Sequence, residues 1–140
     1  MKILMPVDGS DYTKRMLAYL AAHNELLPGD HEYTVFTVIE PYSPYDTNFA
    51  KAVSMEDFLR DQAERVLGPV RSFAEQQGWK VQTAYIPGPA VQSIVAKAEV
   101  LKPDLIVMGT HGRSPLGTIV LGSVANGVLA NCKVPVLLIR

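Results

Sequence analysis

The sequence predicts an α/β protein built on a doubly wound sheet of five parallel strands with helices on both faces. Three observations predict this class. Short apolar runs alternate with stretches of helical periodicity along the chain, which is the pattern of βαβ units with right-handed crossovers. Several runs are apolar at nearly every position, as strands buried on both faces are. The 140 residues contain no repeat, low-complexity tract or linker, so we expect one domain over 1–140.

The first apolar run and the periodic stretch behind it predict a strand and a helix. Residues 2–7 form the run, which stops at the turn Asp8-Gly9-Ser10. The serine hydroxyl of this turn can cap the next helix. That helix is predicted from Asp11 to about Leu27, and Pro28-Gly29 closes it. Residues at three- and four-residue steps mark its buried face: Met16, Tyr19, Leu20, His23 and Leu27.

A second strand and a long helix come next. Residues 32–40 carry the apolar and aromatic side chains of a strand, and a loop rich in Pro, Ser and Tyr follows over 41–48. Ser54 opens a helix that has acidic residues in its first turn, where the helix dipole favours them. Pro69 lies inside the helical pattern, which predicts a kink or break near Gly68.

Two tyrosines in the loop have two interpretations. Tyr42 and Tyr45 could cover a ligand, or they could shield the edge of the core. The second interpretation is favoured, because aromatic side chains in loops mostly pack against the protein.

The second half of the chain supplies three more strands and two more helices. Residues 80–86 alternate as a strand, and Pro87-Gly88-Pro89 turns the chain, with Pro89 suited to the first helical position. The remaining predicted elements are a helix to about Lys102, a strand over 105–108, a helix from Ser123 that buries Val124, Val128 and Leu129, and a strand over 134–140.

Composition argues against several classes of protein. Thirteen basic and fourteen acidic side chains give a net charge of −1, whereas a nucleic-acid-binding domain usually shows a basic face. No apolar run approaches the length of a membrane span, and no signal-peptide pattern is present. The single cysteine, Cys132, excludes an internal disulfide and is interpreted as a small buried side chain rather than a reactive thiol. We therefore expect a cytoplasmic protein with no nucleic-acid or membrane partner.

Three spaced glycines carry the strongest functional signal. Gly109 ends an apolar run, Gly112 follows three residues later, and nine residues separate it from Gly122-Ser123. Glycine can adopt positive φ and lets the backbone approach a ligand closely. The N–H groups that begin a helix are unpaired and attract anions. The spacing therefore predicts a phosphate-binding loop, although glycines in a loop can also simply allow the chain to turn, with no ligand involved.

The expected topology places this loop beside the first turn. Five strands suit the Rossmann-like order 3-2-1-4-5, whose topological switch lies between strands 1 and 4. Ligands in such folds bind beyond the carboxyl ends of the strands at the switch. The turn at Asp8 and the segment 109–123 flank that position, so both are predicted to line one crevice.

The glycine spacing and its flanking residues resemble the nucleotide-binding branch of the universal stress protein family. Met108 to Arg113 and Leu121 to Ala125 look like the family's phosphate loop, Ile3 to Ser10 like its first strand and turn, and Val134 to Arg140 like its last strand. The resemblance covers the whole chain.

The resemblance implies a site for ATP, with Mg²⁺, in that crevice. Asp8 matches the residue that contacts the ribose, and Val38 matches the one that meets adenine through its backbone. Pro6, Val7 and Met108 match the residues that line the base and sugar pocket. The residues that match those surrounding the phosphates are Gly109, His111, Gly112, Gly122, Ser123 and Val124, and Arg113 adds one positive charge. Pro115 stands where family loops often have glycine, so AMP or ADP are alternatives to ATP.

Individual residues also have purely structural interpretations. Asp8 could simply stabilise its own turn, but its place at the switch favours binding. Ser123 could be an N-cap, a role compatible with binding phosphate. His111 lacks a nearby carboxylate and nucleophile in the sequence, so phosphate contact is favoured over catalysis.

Three classes of function compete at this stage. The favoured class is a regulatory stress-response protein that binds a nucleotide. The second is a slow ATPase, since no Walker-type loop or acidic metal cluster is present to support efficient turnover. The third is a partner-binding module that has lost its ligand, which the intact glycines disfavour. The resemblance also implies a homodimer through the strand at 134–140, an apolar edge that is expected to pair.

Overall fold

The strands and helices alternate as the sequence predicts. The computed structural model describes residues 1–27, 30–40, 54–113 and 120–140. Its strands are β1 (Lys2–Pro6), β2 (Glu32–Ile39), β3 (Lys80–Pro87), β4 (Leu105–Gly109) and β5 (Val136–Ile139). Its helices are α1 (Asp11–Ala22), α2 (Met55–Gln76), α3 (Ala90–Leu101) and α4 (Ser123–Asn131), with a short 3₁₀ helix at Asn24–Leu26.

The sheet has the predicted topology. All four strand pairs are parallel and the order is β3-β2-β1-β4-β5. Ile3 of β1 pairs with Tyr33 of β2 on one side and with Leu105 of β4 on the other. The prediction of a doubly wound α/β fold is therefore confirmed, and the topological switch lies between β1 and β4.

Each face of the sheet carries its own apolar core. Helices α1 and α2 cover one face, where Met5, Met16, Leu67 and Val107 are buried in a common cluster. Helices α3 and α4 cover the other face with a second cluster, whose members are Leu4, Phe36, Ile94, Ala98, Ile106, Met108, Ala125 and Val128. Burial on both faces explains why the central strands are apolar at successive positions.

Helix α1 is shorter than the sequence predicts. It ends at Ala22, where the N–H of His23 donates to the Tyr19 carbonyl at 3.0 Å, and a 3₁₀ turn replaces the last predicted turn. Tyr19 was expected on the buried face but is 42% exposed and packs on the His23 ring, 4.4 Å between centroids. Leu17 is buried instead, because the face of α1 that packs on the sheet is formed by Thr13, Met16, Leu17 and Leu20.

Of the kink or break predicted near Gly68, the break does not occur in α2. The helix runs continuously from Met55 to Gln76 with Pro69 inside it. Pro69 is exposed, so the carbonyl that it deprives of a donor, that of Arg65 on the preceding turn, is on the exposed side of the helix, where water can satisfy it. The predicted cap is confirmed, since the Ser54 hydroxyl accepts the Asp57 N–H at 3.1 Å.

Smaller differences concern element ends. β5 is shorter than the predicted 134–140, and Pro89 immediately precedes α3 instead of occupying its first turn. Leu129 is 43% exposed, whereas Ala125 is buried in its place. Cys132 packs against the α3–α4 core but is only half-buried, less enclosed than the buried side chain that was predicted. Pro28-Gly29, the loop 41–48 with Tyr42 and Tyr45, and Pro115 lie outside the described residues.

Across the parts of the chain that the structure describes, no helix has the length and apolar character needed to cross a bilayer.

Candidate functional site

The first turn and the glycine loop meet at the carboxyl ends of β1 and β4. The Arg113 Nε donates to the main-chain carbonyl of Asp8 at 2.8 Å, across a separation of 105 residues. Gly112 lies against the Asp8 carboxylate so closely that a Cβ added to it would be 2.5 Å from Oδ2. The two segments that the sequence placed at the switch are therefore in direct contact.

Asp8 uses one carboxylate oxygen to hold its own turn. Oδ1 accepts the Ser10 N–H at 2.9 Å and the Thr13 hydroxyl at 3.1 Å. The same hydroxyl accepts the Asp8 N–H at 3.2 Å. Oδ2 has no bond to a described residue and faces Gly112. The turn-stabilising interpretation of Asp8 is thus correct, and it leaves the second oxygen available to a ligand.

Thr13 is a part of this turn that sequence reasoning missed. It is 5% exposed and lies in the first turn of α1. The predicted cap by Ser10 is not formed: Ser10 precedes α1, but its side chain caps nothing, and its buried Oγ has no hydrogen-bond partner among the described residues. A threonine five residues after Asp8 was the available signal, because Asp and Thr side chains commonly bond local backbone at helix starts.

The three loop glycines are required by close packing. None has a positive φ, and Gly122 is extended at φ −67° and ψ 160°. A Cβ on Gly122 would lie 2.9 Å from the Thr110 carbonyl oxygen, and one on Gly109 would lie 2.8 Å from the Tyr12 Cβ. The expectation that glycine supplies left-handed backbone here is therefore wrong, whereas close approach explains all three positions.

The helix-start donors differ from those expected. The Gly122 N–H donates to the Thr110 carbonyl at 2.7 Å, so this amide is already used inside the protein. Gly122 is also the N-cap, which makes Ser123 the first helical residue and excludes the N-cap interpretation of Ser123. The N–H groups of Ser123, Val124 and Ala125 have no intrahelical acceptor. Ala125 and Thr110 are therefore site residues that the sequence pattern did not identify.

His111 points toward α1. Its ring lies 5.0 Å from the Tyr12 ring, and its Nδ1 is 3.0 Å from the Thr110 hydroxyl. Tyr12 was not among the predicted residues, and nothing in its local sequence pattern distinguishes it from an ordinary helix-surface tyrosine. The predicted contact between His111 and phosphate stays a prediction.

The predicted lining of the crevice lies mainly on one side of the sheet. Met108 is buried in the α3–α4 core, and Val38 and Val124 pack against the same cluster. Pro6 ends β1 and points to this side by strand alternation. Val7 differs, since it packs in the α1–α2 core and its N–H donates to the Phe36 carbonyl at 2.9 Å. Val38 enters from β2, one strand beyond the switch.

Comparison with known proteins gives a consistent family. The Universal stress protein family matches residues 1–140. Universal stress protein MJ0531 of Methanocaldococcus jannaschii is 34% identical over 141 residues, which cover 99% of this chain and 81% of that protein. The solved structure of MJ0577, a protein of the same organism, superposes with a TM-score of 0.78 at 28% identity, covering 99% of this chain and 94% of that one.

Three less similar structures have adenine nucleotides bound. One is a universal stress protein with cAMP (24% identity, TM-score 0.68, covering 100% of this chain and 97% of that one). Another is an Arabidopsis thaliana universal stress protein family protein with AMP (18% identity, TM-score 0.67, covering 99% of this chain and 90% of that one). The third is the universal stress protein of Archaeoglobus fulgidus with dAMP (24% identity, TM-score 0.65, covering 100% of this chain and 98% of that one). At these identities the likeness shows a shared fold.

Proposed function

The chain belongs to the universal stress protein family, and on that premise we propose that it is a cytoplasmic regulatory protein of the stress response that binds an adenine nucleotide. The proposed ligand is ATP, with AMP and ADP as alternatives, and the site is the crevice between the carboxyl ends of β1 and β4. The whole of 1–140 acts as one domain in this proposal. Ligand occupancy changes the conformation or assembly that a partner recognises.

The contact between the first turn and the glycine loop carries this proposal. It brings a free carboxylate oxygen, Asp8 Oδ2, to the same place as a glycine with no room for a side chain, Gly112. A carboxylate oxygen suits the ribose hydroxyls, which are hydrogen-bond donors. A surface without a Cβ lets a ligand approach the backbone. Bound cAMP, AMP and dAMP in proteins of this fold are consistent with a nucleotide there.

The phosphates are assigned to the start of α4. The amides of Ser123, Val124 and Ala125 open this helix without intrahelical acceptors. The adenine is assigned to the apolar side formed by Val38 and Met108. Gly109, His111 and Arg113 complete the phosphate loop in this assignment. Gly122 donates no hydrogen bond to the phosphates in this assignment, because its own N–H is bonded to the Thr110 carbonyl. Its role is to leave space that a side chain would fill.

Magnesium belongs to the nucleotide in this proposal. Within the described residues no three His, Cys, Asp or Glu side chains are grouped so as to hold a metal ion. Mg²⁺ commonly binds through substrate phosphates and keeps several of its waters, so the phosphates of the nucleotide would be its main ligands. The ion would neutralise phosphate charge there.

Ser123→Pro tests the helix-start assignment. Proline is well tolerated at the first helical position, and the extended backbone of Gly122 before it is compatible with a following proline. The variant loses the Ser123 amide and hydroxyl while the helix is kept. Since a hydrogen bond to a charged group is worth about 1.5–3 kcal/mol, we expect calorimetric titration with AMP to show binding weakened by roughly 10-fold or more.

Ser123→Ala is the matched control because it removes the hydroxyl alone. A smaller loss in Ser123→Ala than in Ser123→Pro assigns the difference to the amide. Equal affinity of Ser123→Pro and the parent, at unchanged thermal stability, would show that phosphate does not bind at the start of α4.

Phosphate release measured on the same preparations with ATP and Mg²⁺ separates a slow ATPase from a binding protein.

A homodimer through β5 is the second part of the proposal. β5 pairs with β4 on one side only, and edge strands tend to pair or need protection. The carbonyls of Pro135 and Ile139 face β4, where they accept N–H groups of Ile106 and Thr110. By alternation, the polar backbone groups of Val136 and Leu138 point away from the sheet.

Val136→Pro should therefore convert a dimer into a monomer. It removes an outward N–H while the bonds from β5 to β4 stay in place, and proline is acceptable on an edge strand. Light scattering at micromolar concentration is the measurement, with Val136→Thr as the control that keeps the N–H. A monomeric parent protein at that concentration would contradict edge pairing.

A further inference from the structure

A second cleft lies beside the glycine loop, on the α1 side of the sheet. It encloses about 300 Å³ between the first turns of α1 and the ends of β4 and β5. Its lining residues are Tyr12, Arg15, Thr110, His111, Val120 and Arg140. The adenine proposed above is assigned against residues of the α3–α4 side. Of the residues that line this cleft, that proposal uses His111 in the phosphate loop and gives no role to Arg15 or Arg140.

Two arginines are among the residues that line this cleft. They are Arg15 and Arg140, and no described lining residue has an acidic side chain. Neither arginine takes part in an ion pair with another described residue. The acidic neighbour Asp11, on the same helix, is paired with Lys14 at 3.5 Å. Two arginines therefore border one concave space whose described lining contains no acidic side chain.

The surrounding side chains hold this space in shape. The Arg15 guanidinium carbon lies 5.3 Å from the centre of the Tyr12 ring, a cation–π contact. The other neighbour of Tyr12 is the His111 ring, at 5.0 Å. Thr110, only 6% exposed, approaches His111 through its hydroxyl at 3.0 Å. Arg15 is thus oriented by an aromatic face, which leaves its N–H groups available to an acceptor.

We propose that this cleft binds a phosphate group. A guanidinium presents N–H donors in a planar fork that matches phosphate oxygens, and two such groups can balance a doubly charged oxyanion. The phosphate has two possible sources. It is either a terminal phosphate of the nucleotide held by the adjacent loop, a source that rests on the proposed function, or a phosphate of a separate molecule. The first source would make the protein prefer ATP to AMP.

Titration with inorganic tripolyphosphate tests the cleft itself. The parent should bind it, and the double variant Arg15→Gln/Arg140→Gln should bind it at least about tenfold more weakly, as expected for lost charge-assisted hydrogen bonds. Arg65→Gln is the control for an arginine lost elsewhere on the surface: it removes one positive charge from α2, where Arg65 pairs with Asp61 at 3.1 Å. It should bind like the parent.

Nucleotide titrations then identify the source. Weakened ATP binding with unchanged AMP binding in the double variant assigns the cleft to the terminal phosphates. Unchanged binding of both nucleotides, together with tripolyphosphate binding to the AMP-saturated parent, assigns it to a separate molecule. A parent that binds no tripolyphosphate, or a double variant that binds it as tightly as Arg65→Gln, overturns the proposal. Failure of the parent to bind AMP would instead contradict the nucleotide crevice.

Discussion

Gly122→Val is expected to weaken adenine-nucleotide binding by about 100-fold. The added Cβ would lie 2.9 Å from the Thr110 carbonyl oxygen and 3.1 Å from the His111 Cα. Both are backbone atoms, which cannot rotate away as a flexible side chain can. The loop must therefore shift as a unit, and it carries the proposed phosphate donors. A 100-fold loss corresponds to roughly 2.7 kcal/mol, within the cost of overpacking a tight site.

The backbone conformation is not the obstacle at this position. Gly122 has φ −67°, which valine adopts readily. The prediction therefore rests on space alone, and Gly122→Ala should already produce much of the loss because the clashing atom is the Cβ. Isothermal titration with ATP and Mg²⁺ is the measurement, and thermal unfolding of each variant checks that the fold is retained.

Gly68→Ala is the control, to be compared with Gly122→Ala. Gly68 lies on α2, where the nearest atom to an added Cβ, apart from its chain neighbours, is Glu64 Oε2 at 3.7 Å, and alanine is preferred to valine there because Pro69 follows directly and crowds a β-branched side chain. The control should bind nucleotide like the parent. Binding by Gly122→Val at parental affinity would show that the loop does not hold the phosphates. Absence of binding in every variant, the parent included, would contradict the nucleotide proposal and make Pro115 the first residue to replace.

Gly127→Ala is expected to destabilise the parent protein but to stabilise the Val91→Ala variant. Gly127 lies where α4 crosses α3, and an added Cβ would be 2.6 Å from one methyl group of Val91 and 2.9 Å from the other. Overpacking of this kind costs about 1–3 kcal/mol. Replacing glycine by alanine inside a helix returns about 1 kcal/mol. In the parent the clash should dominate, lowering the free energy of unfolding by up to about 2 kcal/mol.

Val91→Ala removes both clashing methyl groups. In that background Gly127→Ala should raise the free energy of unfolding by up to about 1 kcal/mol, because the helix-propensity gain then outweighs the one tight contact that remains, 3.3 Å to the Cβ of residue 91. Urea unfolding of the four proteins in this double-mutant cycle measures the change of sign. The same sign in both backgrounds would show that α3 and α4 do not approach as closely as the structure indicates. The contact matters for function because it sets where the start of α4 lies.

Much of the architecture could be predicted because its signals are local. The apolar runs at 2–7 and 105–108 identify buried strands without knowledge of their partners. Strand–helix alternation and right-handed crossovers then leave few topologies. The predictions failed where a local pattern has two outcomes: Pro69 breaks a helix when the freed carbonyl is buried, but it is accommodated when that side of the helix meets water.

The sequence predicted which two segments meet at the candidate site but only partly how they contact each other. The glycine spacing and the turn at Asp8 mark the segments that the fold brings together. The spacing does not distinguish a glycine needed for positive φ from one needed for close packing. It also does not reveal that Gly122 donates its N–H to Thr110, since an amide's partner depends on the path of the chain around it.

The sequence by itself determined the fold class, the strand order and the edge of the sheet where a ligand is expected, because side-chain periodicity and chain connectivity are sufficient for these. Only the tertiary structure decided which helix-start amides remain free, that Val7 faces the α1–α2 core, and that Arg15 and Arg140 border one cleft. These features depend on contacts between segments far apart in the chain, and no local pattern records a contact that forms only when the sheet is packed.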